Sequence, residues 1–303
     1  MAANEPENAV EEQNKPMPVV SKQELVFKTP HDTRNSTARQ ARMIKDIMRK
    51  GKRHFGVSAA SLTHMQDPAR KGELPEGWDP KVLDVAIKGE RDTTKFLKNW
   101  MADKPAVVLI DSMHIPGAGK EEINEETGLM EGGDTDHILI IGEKVIIIDT
   151  KAWKKKAEYT VHDNHTVLRN KKEFPGGNVK IDDALHMWFD FIDDDDVDMF
   201  GAIFIDNGDE EDPKTHEWST RVFRNANWYQ NFWFLVEQSR MGSWLDEQYR
   251  EIAGWDNDTG TYRDMASIRT VNPNLIAQVV GTCMKPYTWA EANGINLQAL
   301  RSK

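Results

Sequence analysis

Residues 133–156 read GDTDHILIIGEKVIIIDTKAWKKK, and this stretch constrains the fold more than any other. Two apolar runs, His137–Ile141 and Lys144–Ile148, flank the dipeptide Gly142-Glu143. Glycine at the first central position of a two-residue loop is what a type II′ hairpin turn requires. The spacing therefore predicts an antiparallel hairpin with Ile141 facing Lys144, and counting outward sets Asp136 opposite Asp149. Side chains alternate along a strand, so Asp134, Asp136, Asp149 and Lys151 share one face. Directly opposed residues have Cβ atoms roughly 4.5–5.5 Å apart, so two carboxylates there repel. A divalent cation, with Lys151 beside it, would offset that repulsion.

Hard cations take oxygen ligands, commonly one or two carboxylates with waters and substrate phosphate oxygens. A lysine two residues beyond a metal carboxylate can orient or deprotonate an attacking water and steady a phosphate as charge builds on it. Asp136, Asp149 and Lys151 are thus expected to support metal-assisted hydrolysis of a phosphodiester. The plain alternative is a hairpin whose ends carry solvated charges, with Asp149 paired to Lys151.

The rest of the chain supplies a frame for that hairpin. Residues 1–30 are polar, acidic and without periodicity, and read as a disordered tail with no secretory signal. Residues 31–79 read as a basic helical segment and a linker: a helix over Ser36–Lys50, eight Lys/Arg against Asp46 within Arg34–Arg53, then the Pro- and Gly-rich Asp67–Asp79. From residue 80 to 240 the order is helix (Val82–Met101), strand (Ala106–Ile110), polar loop (His114–Gly132), hairpin, ribbon (Tyr159–Val161 with Thr166–Arg169), helix (Ile181–Ile192), strand (Met199–Ile205) and helix (Tyr229–Arg240). On the first of these helices the apolar face is read as Val82, Val85, Ala86, Phe96, Leu97 and Trp100, with a polar gap in its middle. Residues 241–303 read as a helical extension. Helices flanking a small mixed sheet make an α/β layer architecture.

Net charge is −11, which argues against a protein that simply coats nucleic acid. Residues Lys151–Lys180 nevertheless carry eight Lys/Arg against three acids, a basic patch that starts at the proposed site. Trp153 followed by Lys154, Lys155 and Lys156 suits stacking on a base beside a phosphate track, with core packing of Trp153 the equal alternative. The acidic run Asp193–Asp196 reads as a solvated loop or helix end. One cysteine, Cys283, excludes an internal disulfide and a Cys-based metal site, and suits a reducing, cytoplasmic setting. No apolar run reaches the ~18–20 residues of a membrane span. Gly117–Lys120 is no phosphate-binding loop, because His114 and Glu121 stand where glycine and a hydroxyl residue belong. His162, His165, His186 and His216 show no metal-ligand spacing, and alternation turns His137 away from the acidic face. Trp188, Trp228, Trp233 and Trp244 are expected in the core.

The order helix, strand, Asp, strand, Asp-x-Lys resembles the PD-(D/E)XK nuclease superfamily, the restriction-endonuclease-like fold. More narrowly it resembles the nuclease-related domain (NERD) family. The matching residues are Gly89-Glu90 on the first helix, Asp136-His137 opening one strand, and Ile148-Asp149-Thr150-Lys151 closing the next, with Trp153 beyond. The resemblance covers about residues 80–240. It implies a restriction-endonuclease-like core and a Mg²⁺-dependent (or Mn²⁺-dependent) endonuclease acting on nucleic acid, with DNA expected ahead of RNA. Asp136 and Asp149 would hold the metal with the Thr150 carbonyl, Lys151 would position the water, and Glu90 would complete the site directly or through water. Many nucleases of this fold pair up, so a homodimer is admitted. Asp149 stands where the family more often has Glu. A catalytically silent nuclease-like module that binds nucleic acid or a partner protein is the alternative.

Overall fold

A computed structural model describes residues 48–65, 79–115, 123–124, 129–130, 134–163, 165–192, 197–209, 211–223, 232–252, 255–256, 261–262, 271–276 and 279. The tail, nearly all of the helix expected from Ser36, the linker up to residue 78, Gly117–Lys120, Asp193–Asp196, Trp228 and Cys283 lie outside the described residues. In chain order the strands are β1 (His54–Gly56), β2 (Val107–His114), β3 (Ile123–Asn124), β4 (Leu129–Met130), β5 (Asp134–Ile141), β6 (Lys144–Lys151), β7 (Glu158–Val161), β8 (Val167–Arg169), β9 (Asp198–Ile205), β10 (Arg221–Phe223), β11 (Trp233–Glu237), β12 (Trp255–Asp256) and β13 (Thr261–Tyr262). The helices are α1 (Ala60–Met65), α2 (Pro80–Trp100), α3 (Ile181–Ile192) and α4 (Met241–Ile252).

The hairpin forms in the expected register, with Ile141 opposite Lys144 and His137 opposite Ile148. Gly142 takes φ +60° while Glu143 stays at negative φ, as a type II′ turn demands. β5 and β6 occupy the middle of a six-stranded mixed sheet ordered β1-β2-β5-β6-β9-β11. β2, β5 and β6 run antiparallel in turn; β1 lies parallel to β2, β9 to β6 and β11 to β9. A second sheet of three strands is ordered β10-β7-β8.

The central strands are covered on both faces, which is why they are nearly all isoleucine. Alternation sorts their side chains. Ile138, Ile140, Val145 and Ile147 pack towards α3 (Ile181, Leu185, Trp188) and the smaller sheet (Tyr159, Val161). Leu139, Ile141, Ile146 and Ile148 pack towards Leu97 of α2 and Trp244 and Leu245 of α4. Trp188, Trp233 and Trp244 are core residues, as expected. The architecture is mixed α/β, and no helix among the described residues is long and apolar enough to cross a membrane.

Four expectations need correction. The helix expected over Tyr229–Arg240 is replaced in its described part, from residue 232 on: Trp233–Glu237 is strand β11, and one 3-10 turn, Gln238–Arg240, leads into α4. Its bulky Trp-Phe-Leu-Val run fits a half-covered pleat, and pairing with the distant β9 decides the matter over local periodicity. The apolar face of α2 departs from expectation in its first two turns, where Val82 and Val85 are 60% and 53% exposed and Leu83 and Ile87 point inward; further along, Leu97 is buried and Phe96 and Trp100 pack on the core, as expected. The region 114–132 is not all loop, since His114 ends β2 opposite Asp134 and β3 pairs with β4. The C-terminal region likewise contains a small strand pair, β12 with β13, after α4.

Candidate active site

Helix α2 starts cleanly because Asp79 accepts the Lys81 N–H at 2.9 Å and Pro80 occupies the first turn. Its inward stripe is apolar at both ends and polar in the middle, where Gly89, Glu90, Thr93 and Thr94 are buried. The polar gap in the sequence is therefore the part of the helix that meets the site. Gly89 permits the meeting. A Cβ there would stand 3.2 Å from the Ala152 Cβ and 3.7 Å from the Thr150 Cγ2, so glycine lets α2 cross the end of β6 this closely without pushing Ala152 aside.

The ladder between β5 and β6 has its outermost pair at His137–Ile148. One residue further, the Asp136 side chain takes over from the backbone: its Oδ2 accepts the Thr150 N–H at 2.7 Å. On the other side of β5 the register sets Ser112 opposite Asp136, and Ser112 takes φ +53°, a strained conformation for a strand residue. Asp149 and Lys151 share the Asp136 face by alternation, and the Lys151 ammonium contacts Asp149 Oδ1 at 2.8 Å.

The electrostatics follow from crowding. Burial, then the charges of Asp134, Asp149 and Asp111, push the Glu90 carboxyl up to about 8, with Lys151 opposing. Burial, then Glu90 and Asp149, push Asp136 well above the usual carboxylate range; Lys151 and the Thr150 N–H pull the other way. Burial alone would lower the Lys151 ammonium, but Asp149, Asp136 and Glu90 together leave it raised. Lys151 thus stays charged at neutral pH, while burial and neighbouring carboxylates favour the protonated forms of Glu90 and Asp136.

Behind this face lies a polar network that the motif reading missed. Asp111 on β2 is fully buried and takes the His137 Nδ1 at 2.8 Å, the His54 Nε2 at 2.8 Å and the Thr94 Oγ1 at 3.0 Å. Burial would raise this carboxyl, but the His137 and His54 hydrogen bonds bring it down to about 2. His137 faces away from Asp136, as alternation predicted, and its Nε2 lies 3.0 Å from the Thr150 Oγ1. A sequence signal for Asp111 existed: Val107–Asp111 is an apolar run closing on Asp, like Val145–Asp149. Asp206, just beyond β9, also comes close and accepts the Thr93 hydroxyl at 3.0 Å.

No family model, curated protein or solved structure matches this chain. The site therefore rests on its own geometry. Glu90, Asp136, Asp149 and Lys151 fall within one another's fields, and Thr150 links two of their strands. Among the described residues, no group of three or more His, Cys, Asp or Glu is arranged to hold a metal ion. The oxygen donors on hand are the Asp136 and Asp149 carboxylates and the Thr150 carbonyl, with Glu90 next to them. Trp153 takes the packing alternative, stacked on Tyr159 at 5.1 Å and edge-on to Phe174 at 5.1 Å. Lys154, Lys155 and Lys156 are exposed, and the Lys155 ammonium donates to the Gly208 carbonyl.

Proposed function

We propose that the protein is a metal-dependent endonuclease with a restriction-endonuclease-like core, hydrolysing phosphodiester bonds by water attack, with DNA as the expected substrate. The observation that carries this reading is the electrostatic imbalance of the site. Asp136 and Glu90 crowd together with Asp149, and Lys151 is the cation that opposes the upward push on the Asp136 and Glu90 carboxyls. Like carboxylates held this close suit a site completed by a cation.

Mg²⁺ or Mn²⁺ fits the donor set, since every donor is a hard oxygen. Two carboxylates suffice when waters and the substrate phosphate fill the remaining positions, so the lack of a three-carboxylate cluster does not disqualify the site. Asp136, Asp149 and the Thr150 carbonyl would hold the ion, with Glu90 beside them. Bound there, it would act as a Lewis acid on the phosphoryl oxygens. The chain's own residues do the rest. Lys151 keeps its proton, so its work is to orient the water and steady the phosphate rather than to remove a proton. The exposed Lys154–Lys156 run offers backbone phosphates a basic landing next to the site. A homodimer would place two such sites on one duplex, and the single cysteine suits a cytoplasmic setting.

One observation favours the alternative of a silent nucleic-acid-binding module: Asp149 is already engaged by Lys151 at 2.8 Å. Cleavage separates the two. Plasmid and oligonucleotide substrates should be cut in Mg²⁺, left intact in EDTA, and left intact by Asp149→Ala in Mg²⁺. Cutting that survives Asp149→Ala defeats these roles. Salt-dependent DNA retention without any divalent-dependent cutting establishes the binding module instead.

A further inference from the structure

The network behind the site ends at Thr150, and Thr150 touches both faces of the sheet. Its hydroxyl meets His137 Nε2 at 3.0 Å on the α2 side, while its N–H donates to Asp136 Oδ2 at 2.7 Å on the other. We propose that Asp111, His137 and Thr150, with His54 from edge strand β1 as the outer end, form a positioning chain that holds the Thr150 peptide against Asp136. The metal consequence of this chain rests on the function proposed above; the positioning itself does not.

Each link is specified. Asp111 accepts from His137 Nδ1 through one oxygen and from His54 Nε2 and Thr94 through the other, so its carboxylate is fixed from three sides. With Nδ1 committed to Asp111, the ring presents Nε2 to the Thr150 hydroxyl. The Asp111 and His137 side chains are 0% exposed and His54 is 26% exposed, so the chain runs from the surface to the site. β1 is pinned where it delivers His54: the Arg53 guanidinium donates to the carbonyls of Met101 at 2.9 Å and Ala102 at 3.1 Å, and Phe55 is buried. Elsewhere these strands carry Ile, Val and Leu at such positions. Burying a carboxylate and an imidazole costs several kcal/mol unless every polar atom is satisfied, so a purely structural strand would do better with isoleucine. The order carboxylate, imidazole, hydroxyl also occurs in nucleophilic triads, but Thr150 is 9% exposed and packed under α2, which leaves no room for a substrate to be attacked there. What the chain can do is set the side-chain rotamer of Thr150 and, through it, the peptide that Asp136 grips. Partners behind a metal ligand commonly govern its affinity in this way.

The test uses the full chain. Amide hydrogen exchange at residue 150 is read by NMR in EDTA, and Mn²⁺ affinity is read on the same proteins by calorimetry. Thr150→Val and His54→Ala are expected to speed exchange at residue 150 by about tenfold. Thr150→Ser and His54→Gln, which keep a hydrogen-bonding group, should stay within about twofold of the native rate. Thr93→Val removes another buried hydroxyl on α2, one that bonds Asp206 and takes no part in the positioning chain, and should leave exchange at residue 150 unchanged. Unchanged exchange in both Thr150→Val and His54→Ala overturns the proposal, as does an equal change in Thr93→Val. In the metal arm Thr150→Val should weaken Mn²⁺ binding by about 10- to 100-fold. A native chain that takes up no Mn²⁺ while exchange responds as expected removes the metal reading and leaves the positioning chain standing. Mn²⁺ uptake with unresponsive exchange does the reverse.

Discussion

Replacing Glu90 with Gln removes a charge that the folded protein resists. Glu90 is 7% exposed, so water screens it little. Its carboxyl sits at 4.5 in an ordinary setting and rises to about 8 on folding, through burial first and then Asp134, Asp149 and Asp111. Between those values the folded chain keeps a proton that the unfolded chain has lost, so stability falls as pH rises. The gap spans roughly 3.5 pH units, and at about 1.36 kcal/mol per unit it costs the alkaline protein at most about 5 kcal/mol. Below about pH 4.5 the cost is absent, and above about pH 8 it is complete. Urea unfolding in EDTA, repeated from about pH 5 to about pH 9, reads this directly. The native chain should lose several kcal/mol across the range, and Glu90→Gln should lose markedly less. Excess Mg²⁺ should restore much of the native chain's alkaline stability, because a ligand that binds only the folded form stabilises it. A native profile that is flat in EDTA, or a Glu90→Gln profile that falls just as steeply, refutes the electrostatic reasoning.

Other perturbations follow from the same geometry. Asp136→Asn keeps an acceptor for the Thr150 N–H while removing a crowded charge, so cleavage should vanish while the melting temperature in EDTA holds or rises; a large drop contradicts the crowding. Lys151→Met removes the cation that opposes proton uptake by Glu90 and Asp136, and should steepen the alkaline loss of stability seen in urea titrations. Gly89→Ala puts a Cβ 3.2 Å from Ala152 and should cut cleavage by about tenfold or more, because small shifts of a site are costly to rate. Its effect on the melting temperature should be small, since alanine is the better helix former by about 0.5–1 kcal/mol. Lys154→Ala with Lys156→Ala should flatten the salt dependence of DNA retention by about two in the log–log slope, if each lysine meets one phosphate.

The hairpin was legible because its information is local. A glycine at the first turn position, a period of two and an unbroken apolar run fixed register, faces and burial of β5 and β6 together. The same locality made Ile181–Ile192 readable as a helix, with acids in its first turn. β11 was not readable, since Trp233–Glu237 is strand only by virtue of pairing with β9, some thirty residues away in the chain. The face of α2 was legible only in its second half, where Leu97 is buried and Phe96 and Trp100 pack on the core. Val82 and Val85 stand outside while Leu83 and Ile87 turn in, and the polar gap at Gly89, Glu90, Thr93 and Thr94 is buried because a polar site lies beneath it. His54 was invisible to motif logic and Asp111 showed only as an acid closing an apolar run, because their role depends on three strands meeting at one point. Trp153 was legible only as two alternatives, and the aromatic neighbours that decide between them, Tyr159 and Phe174, arrive from the second sheet and the turn after it.

The central claim is that Asp136 and Asp149 converge on one cation. A crystal soaked in Mn²⁺ and measured for anomalous scattering tests it most directly. The account predicts a single peak between the two carboxylates and next to the Thr150 carbonyl, at oxygen distances of about 2.0–2.2 Å. A peak elsewhere, or Asp149 still paired to Lys151 with no peak at saturating Mn²⁺, would contradict it.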